Sequence, residues 1–92
     1  MPVLSPQEIT HALNSLHGWK LKDGAIVQQF SFADFAESMS FVNAVAVLAE
    51  HAEHHPDIDI RYSKVELALA SHDAGGITEK DIGLARAIGE IH

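Results

Sequence analysis

Residues 49–57 read AEHAEHHPD: three histidines and two glutamates in little more than two helical turns, closed by a proline. Imidazole exchanges protons near neutral pH, so such a cluster suits general acid–base work. On a helix, Glu50 and His54 stand four residues apart as neighbours, roughly 5–6 Å between Cβ atoms. His51 and His55 make a second such pair, turned about 100° from the first. His54 and His55 fall in the last turn before Pro56, where unpaired carbonyls favour positive charge. A second candidate is Ser71-His72-Asp73, at the end of an alternating strand and before a glycine-containing loop, where a reactive group is readily presented. The pattern alone does not say that His72 meets His54.

Other chemistries fit the same residues. His51 and His55, with a carboxylate or His72 as third ligand, resemble part of a zinc site. No glutamate directly follows His51, so the metalloprotease form HExxH is absent. Ser71 and His72 are adjacent on a strand and point to opposite faces, which argues against a serine nucleophile. A merely solvated polar helix end is the plain alternative.

The chain of 92 residues has room for one domain, 1–92, and 47% apolar residues provide its core. Nothing at the start reads as a signal peptide. The longest nearly apolar run, residues 42–49, contains Asn43 and is too short to cross a bilayer. The absence of cysteine excludes disulfides and thiolate metal sites and suits a cytoplasmic location. Six basic residues against thirteen acidic ones, net −7, repel a phosphate backbone and an anionic membrane surface alike. No nucleic-acid or membrane partner is therefore expected.

The elements that must position the histidines follow from pattern. Ser5-Pro6-Gln7-Glu8 starts a helix with Ile9, Leu13 and Leu16 on one face, and Gly18 is placed to stop it. Trp19 and Leu21, the Asp23-Gly24 turn, then Ile26, Phe30 and Phe32 form a hairpin, with Gln28 breaking the apolar set. From about Asp34 the period is helical. Phe35, Met39, Val42, Ala46 and Ala49 form a stripe that Phe41, Val45, Leu48 and Ala52 widen, and Pro56 is expected to end the helix. Ile58, Ile60 and Tyr62 alternate at even positions but Val65, Leu67 and Leu69 at odd ones, which places a turn or bulge at about Ser63-Lys64 and so a second hairpin. Thr78 caps a last helix, with Ile82, Ala85, Ile88 and Ile91 inward. The expected fold is α+β in two layers, a four-stranded antiparallel sheet with three helices on one face: helix, then strand-strand-helix twice.

The polar spacing has a further likeness. Glu50, three residues, His54-His55-Pro56, five residues, Tyr62, nine residues, His72, eight residues, Asp81 resembles the signature of pterin-4a-carbinolamine dehydratase. Gly18-Trp19, QQFSFADF, YSKVELALASH and GITEKDIGLA extend it over about residues 16–91. The resemblance implies the fold order just given, and dehydration of 4a-hydroxytetrahydropterin to quinonoid dihydropterin, which regenerates the cofactor of aromatic amino acid hydroxylases. It implies neither metal nor organic cofactor, assembly as a homodimer or homotetramer, and, in animal members, a second role with a homeodomain transcription factor.

Carried over by position, the family histidines fall on His54, His55 and His72, and its acidic positions on Glu50 and Asp81. Glu53 and the run Ala70, Ser71, His72, Asp73 match segments that line the pterin, and Trp19 matches an aromatic near the site. Ser71, Lys80 and His51 stand where threonine, arginine and lysine are frequent. Asp81 also sits three residues after Thr78, as a capping box requires, and Trp19 equally suits a core position. His11, His17 and His92 are expected at the surface. Two rival readings remain: a non-catalytic dimerisation or docking module, whose open sheet edges would need covering, and the histidine-ligated metal site.

Overall fold

The computed structural model describes residues 2–92. Helix α1 (Pro6–Leu13) begins where Ser5 Oγ accepts from the Glu8 N–H and the Glu8 carboxylate accepts from the Ser5 N–H. Strands β1 (Lys20–Lys22) and β2 (Ala25–Ser31) flank Asp23-Gly24, both with positive φ, the backbone that a tight two-residue hairpin demands. Helix α2 (Phe35–Ala52) is capped by Asp34; β3 (Asp57–Arg61) and β4 (Lys64–Leu69) follow, then α3 (Glu79–Ile91). All pairings are antiparallel in the order β1-β2-β4-β3, so the hairpins join through β2 and β4 and the short or exposed strands take the edges.

Register explains which face is dry. Ile26 lies opposite Leu69, Phe30 opposite Val65, and Ile58 and Ile60 opposite Leu67 and Val65, so these side chains share the helix-covered face. Val65, Leu67, Leu69 and Ile26 are completely buried there against Val45, Ala85 and Ile88 of α2 and α3. The α+β order, helix then strand-strand-helix twice, is the one expected from the sequence.

Several boundaries differ. The second turn is Tyr62-Ser63, one residue early, with Tyr62 itself in the left-handed region. Helix α1 stops at Leu13, and Gly18 serves a later turn. The buried stripe of α2 is Ser38, Phe41, Val42, Val45 and Ala49, whereas Phe35 and Ala46 lie exposed; Ile91 of α3 is exposed as well.

The end of α2 bears most on function. Pro56 does not terminate it: the helix stops at Ala52, and Glu53 turns left-handed (φ 51°). The Glu53 N–H then donates to the Glu50 carbonyl and the His54 N–H to the Ala49 carbonyl, the paired bonds of a Schellman closure. His54 and His55 are therefore off the helix.

Candidate functional site

That early ending rearranges the expected pairs. His54 does not meet Glu50. Its Nε2 lies 2.5 Å from Oδ1 of Asp81, twenty-seven residues on, and Glu50 instead meets His55 through Nε2, also at 2.5 Å. The His51–His55 helical pair is likewise lost, because His55 has left the helix. Among the described residues, no three histidine, aspartate and glutamate side chains form a group able to hold a metal ion.

Asp81 is the hub. It is completely buried in the first turn of α3, below His54, which keeps only 12% of its side-chain surface. A carboxylate can only accept, and this fixes the direction of every bond around it. Oδ1 takes the Nε2–H of His54; Oδ2 takes the Ser71 hydroxyl at 2.9 Å and the Thr78 N–H at 2.9 Å. With the Ser71 proton committed, the Thr78 hydroxyl must donate to Ser71 Oγ (2.8 Å) while accepting from the Lys80 N–H (3.3 Å). Asp81 is thus a capping-box residue and the partner of His54 together, since the Thr78 cap holds its carboxylate where His54 reaches it. Holding Nε2–H against Asp81 leaves Nδ1 of His54 as the nitrogen free for proton traffic.

Ser71 ties the second half of the site to this hub. Its backbone N–H donates to the Gly76 carbonyl, and its carbonyl accepts from Ala74, Gly75 and Gly76, closing a tight loop over 71–76. His72 and Asp73 stand exposed on that loop. The Asp57↔Ala68 register sets the residues before β3 beside those after β4, so His54, His55 and His72 gather at one end of the sheet. They do not line one cavity. A cleft of about 370 Å³ is walled by His72, Asp57, Ala68 and Ala70 with Gly75 and Gly76, and neither His54 nor His55 borders it.

The other predicted site residues divide. Glu50 is exposed beside His55, and Glu53 is spent on ending α2. Ser71 and Asp81 are buried and fully bonded inside the protein, Ala70 borders the cleft, and Asp73 stands at the loop surface. Trp19 is in the core, its ring edge-on to Phe30 at 6.2 Å. Phe30 in turn touches His92, at the opposite end of α3 from Asp81, so Trp19 is remote from His54, His55 and His72. His92 is exposed, as expected, while its ring packs on Phe30, Phe32 and Phe41. Sequence reasoning overlooked Asp57 as a cleft wall, though its place directly after Pro56 at the start of a strand was a usable signal. It took Thr78 only as a cap; the Thr78-x-x-Asp81 spacing held the clue to its wider role.

The profile of the family described as pterin 4 alpha carbinolamine dehydratase matches residues 2–91. A Chloroflexus aurantiacus protein provisionally named a pterin-4-alpha-carbinolamine dehydratase is 55% identical over 91 residues, covering 99% of this chain and 98% of that one. A Koribacter versatilis protein with the same provisional name is 53% identical, covering 97% and 95%. The crystal structure of a transcriptional coactivator/pterin dehydratase from Brucella melitensis superposes with a TM-score of 0.92 at 37% identity, covering 97% of each chain. A pterin dehydratase-like RuBisCO assembly factor of the alpha-carboxysome shares the fold alone, at a TM-score of 0.67 and 23% identity over 82% of this chain and 89% of the other.

Proposed function

The chain belongs to the pterin 4 alpha carbinolamine dehydratase family, and from that premise we propose that it removes water from a 4a-hydroxytetrahydropterin by histidine general acid–base catalysis. Hydroxide is a poor leaving group. The C4a–O bond breaks readily only if an acid protonates the oxygen, so that it departs as water, while the N5 lone pair closes a C4a=N5 double bond. The cation left behind must then surrender a ring N–H proton to a base, giving neutral quinonoid dihydropterin.

His54 and His72 are the acid–base pair in this reading, and His55 positions and polarises the ring. One observation carries it: the buried Asp81 carboxylate holds His54 with one oxygen and, through the other, the Ser71 hydroxyl next to His72. A buried ionised group on a small domain is costly, and one shared between the two halves of a candidate site is hard to explain as packing alone. The pterin occupies the end of the sheet, with Ala70, His72 and Asp57 as the wall beneath it. Glu50, Glu53 and Asp73 form the polar rim.

Absorbance-monitored dehydration of a 4a-hydroxytetrahydropterin tests this. His54→Ala and His72→Ala should each lower kcat roughly 10²–10⁴-fold, more than they raise KM, and His55→Ala should act more on KM. Near-normal turnover by His72→Ala would remove the assignment. In a cell the product would supply a reductase that restores the tetrahydropterin of an aromatic amino acid hydroxylase, in the cytoplasm.

A docking role is the second reading. The edge strand β3 carries Ile58 and Ile60 at the surface, the turn after it exposes Tyr62, and α2 exposes Phe35 and Val47. Unpaired edges of this kind favour homo-oligomers, dimer or tetramer. Sedimentation of wild type beside Ile60→Lys, with turnover assayed on both, separates assembly from catalysis.

A further inference from the structure

A second cleft lies at the far end of α3. His92 follows Asp81 by eleven residues, roughly 16 Å along a helix axis, so this cleft is separate from the imidazole site. It encloses about 280 Å³ between the turn after α1, the helix-facing side of β2 and the last turns of α3. Trp19 and Phe30, both in the core, form its aromatic wall, and the His92 ring stands on Phe30 at 4.8 Å.

Gln28 makes this more than a gap in packing. It sits in β2 between Ile26 and Phe30, opposite Leu67, on the face where every neighbour is apolar. Among the described residues its carboxamide has no hydrogen-bond partner, yet it is not sealed off, because it borders the cleft. The chain makes room for it: Gly18 has φ +88°, and a Cβ there would come within 2.3 Å of the Gln28 amide nitrogen. An amide kept on a core face and open only toward a cleft is placed to meet something in that cleft. Arg86 stands at the mouth, and no ion pair engages its guanidinium among the described residues. On a chain of net charge −7, a free guanidinium beside aromatic rings selects for an anionic group attached to a flat ring.

We propose that this cleft is a second binding site, for a small planar aromatic carboxylate: the ring against Trp19 and Phe30, the carboxylate on Arg86, and a polar ring edge on Gln28. The volume suits one or two fused rings, at the lower limit of ordinary ligand sites.

Trp19 is the only tryptophan, so its indole N–H gives one unambiguous NMR signal from a residue that lines the cleft. Titration of the full chain with benzoate should move that signal saturably at roughly millimolar concentration or below, with uncharged benzamide at least about tenfold weaker and acetate without effect. Arg86→Gln should weaken benzoate about tenfold while leaving pterin turnover unchanged. Gln28→Leu, which suits the apolar face and so folds, should weaken nicotinate, whose ring nitrogen can accept from the amide, more than benzoate. His54→Ala should bind benzoate as the wild type does. The site is refuted if benzamide and acetate match benzoate, if the largest shifts cluster at residues 54–57 and 70–73, or if the Trp19 signal changes with protein concentration alone, which would mean that another copy of the chain covers the cleft.

Discussion

His54–Asp81 and His55–Glu50 are the same chemical pair at the same 2.5 Å separation, made by adjacent histidines. Their surroundings differ almost completely. Side-chain exposure is 12% and 0% in the first pair but 63% and 73% in the second. Water competes for every donor and acceptor of the exposed pair and screens its charge, so it contributes little to stability. The buried pair has no such competitor, and removing one member strands the other together with the groups bonded to it. Distance alone therefore says little about which histidine is held. The surrounding bonds decide, and they make His54 the fixed group and His55 the movable one.

The sharpest way to break the contrast is at Asp81. Asp81→Ala orphans the His54 Nε2–H, the Ser71 hydroxyl and the Thr78 N–H together, and should cost about 3–5 kcal/mol in a denaturant melt. Asp81→Asn is the finer probe. It keeps an oxygen for Ser71 and Thr78 but turns an NH₂ toward His54, which must then accept through Nε2 and carry its proton on Nδ1. Turnover should fall at least about tenfold with little change in KM, and nitrogen-15 shifts of the ring should report the exchanged tautomer. An unchanged tautomer would mean that Asp81 does not orient the ring.

Ser71 comes next. Ser71→Ala removes one of the bonds to Oδ2 and leaves the Thr78 hydroxyl without its acceptor, an expected loss of about 1–3 kcal/mol. Ser71→Thr keeps the hydroxyl and should recover most of that stability. If both variants melt alike, the hydroxyl is not part of the hub.

How much of this could be read from the chain follows the range of each interaction. Ser5-Pro6-Gln7-Glu8, Asp23-Gly24 and the odd-position alternation of Val65, Leu67 and Leu69 act within a few residues, and they placed a helix start, a turn and a buried strand correctly. The gathering of residues 54 and 71–73 at one end of the sheet also has a local cause, in strands that end there. The partner of His54 has none. The pairing with Glu50 assumed that α2 runs on to Pro56, but Glu53, a residue with no special liking for positive φ, takes the left-handed closure instead. That single dihedral choice follows from where α2 packs, with Ala49 buried and Ala52 exposed. The stripe on α2 shifted for the same reason: nine apolar candidates surround the helix, and only the packed sheet selects among them.

The weakest perturbation sharpens the comparison most. Glu50→Gln keeps the size and an acceptor oxygen but removes the charge facing His55. Because both side chains are more than half exposed, stability should change by no more than a few tenths of a kcal/mol. The same exposure makes any contribution sensitive to salt, so the small difference from wild type should vanish between low ionic strength and about 1 M salt. If His55 positions the ring as proposed, any effect on turnover should appear in KM, because Glu50 is the partner of His55. A melt showing a loss as large as that of Ser71→Ala would mean that the pair is shielded in solution, by a second copy of the chain or by the 71–76 loop folding over it, and the division into a fixed and a movable histidine would have to be abandoned.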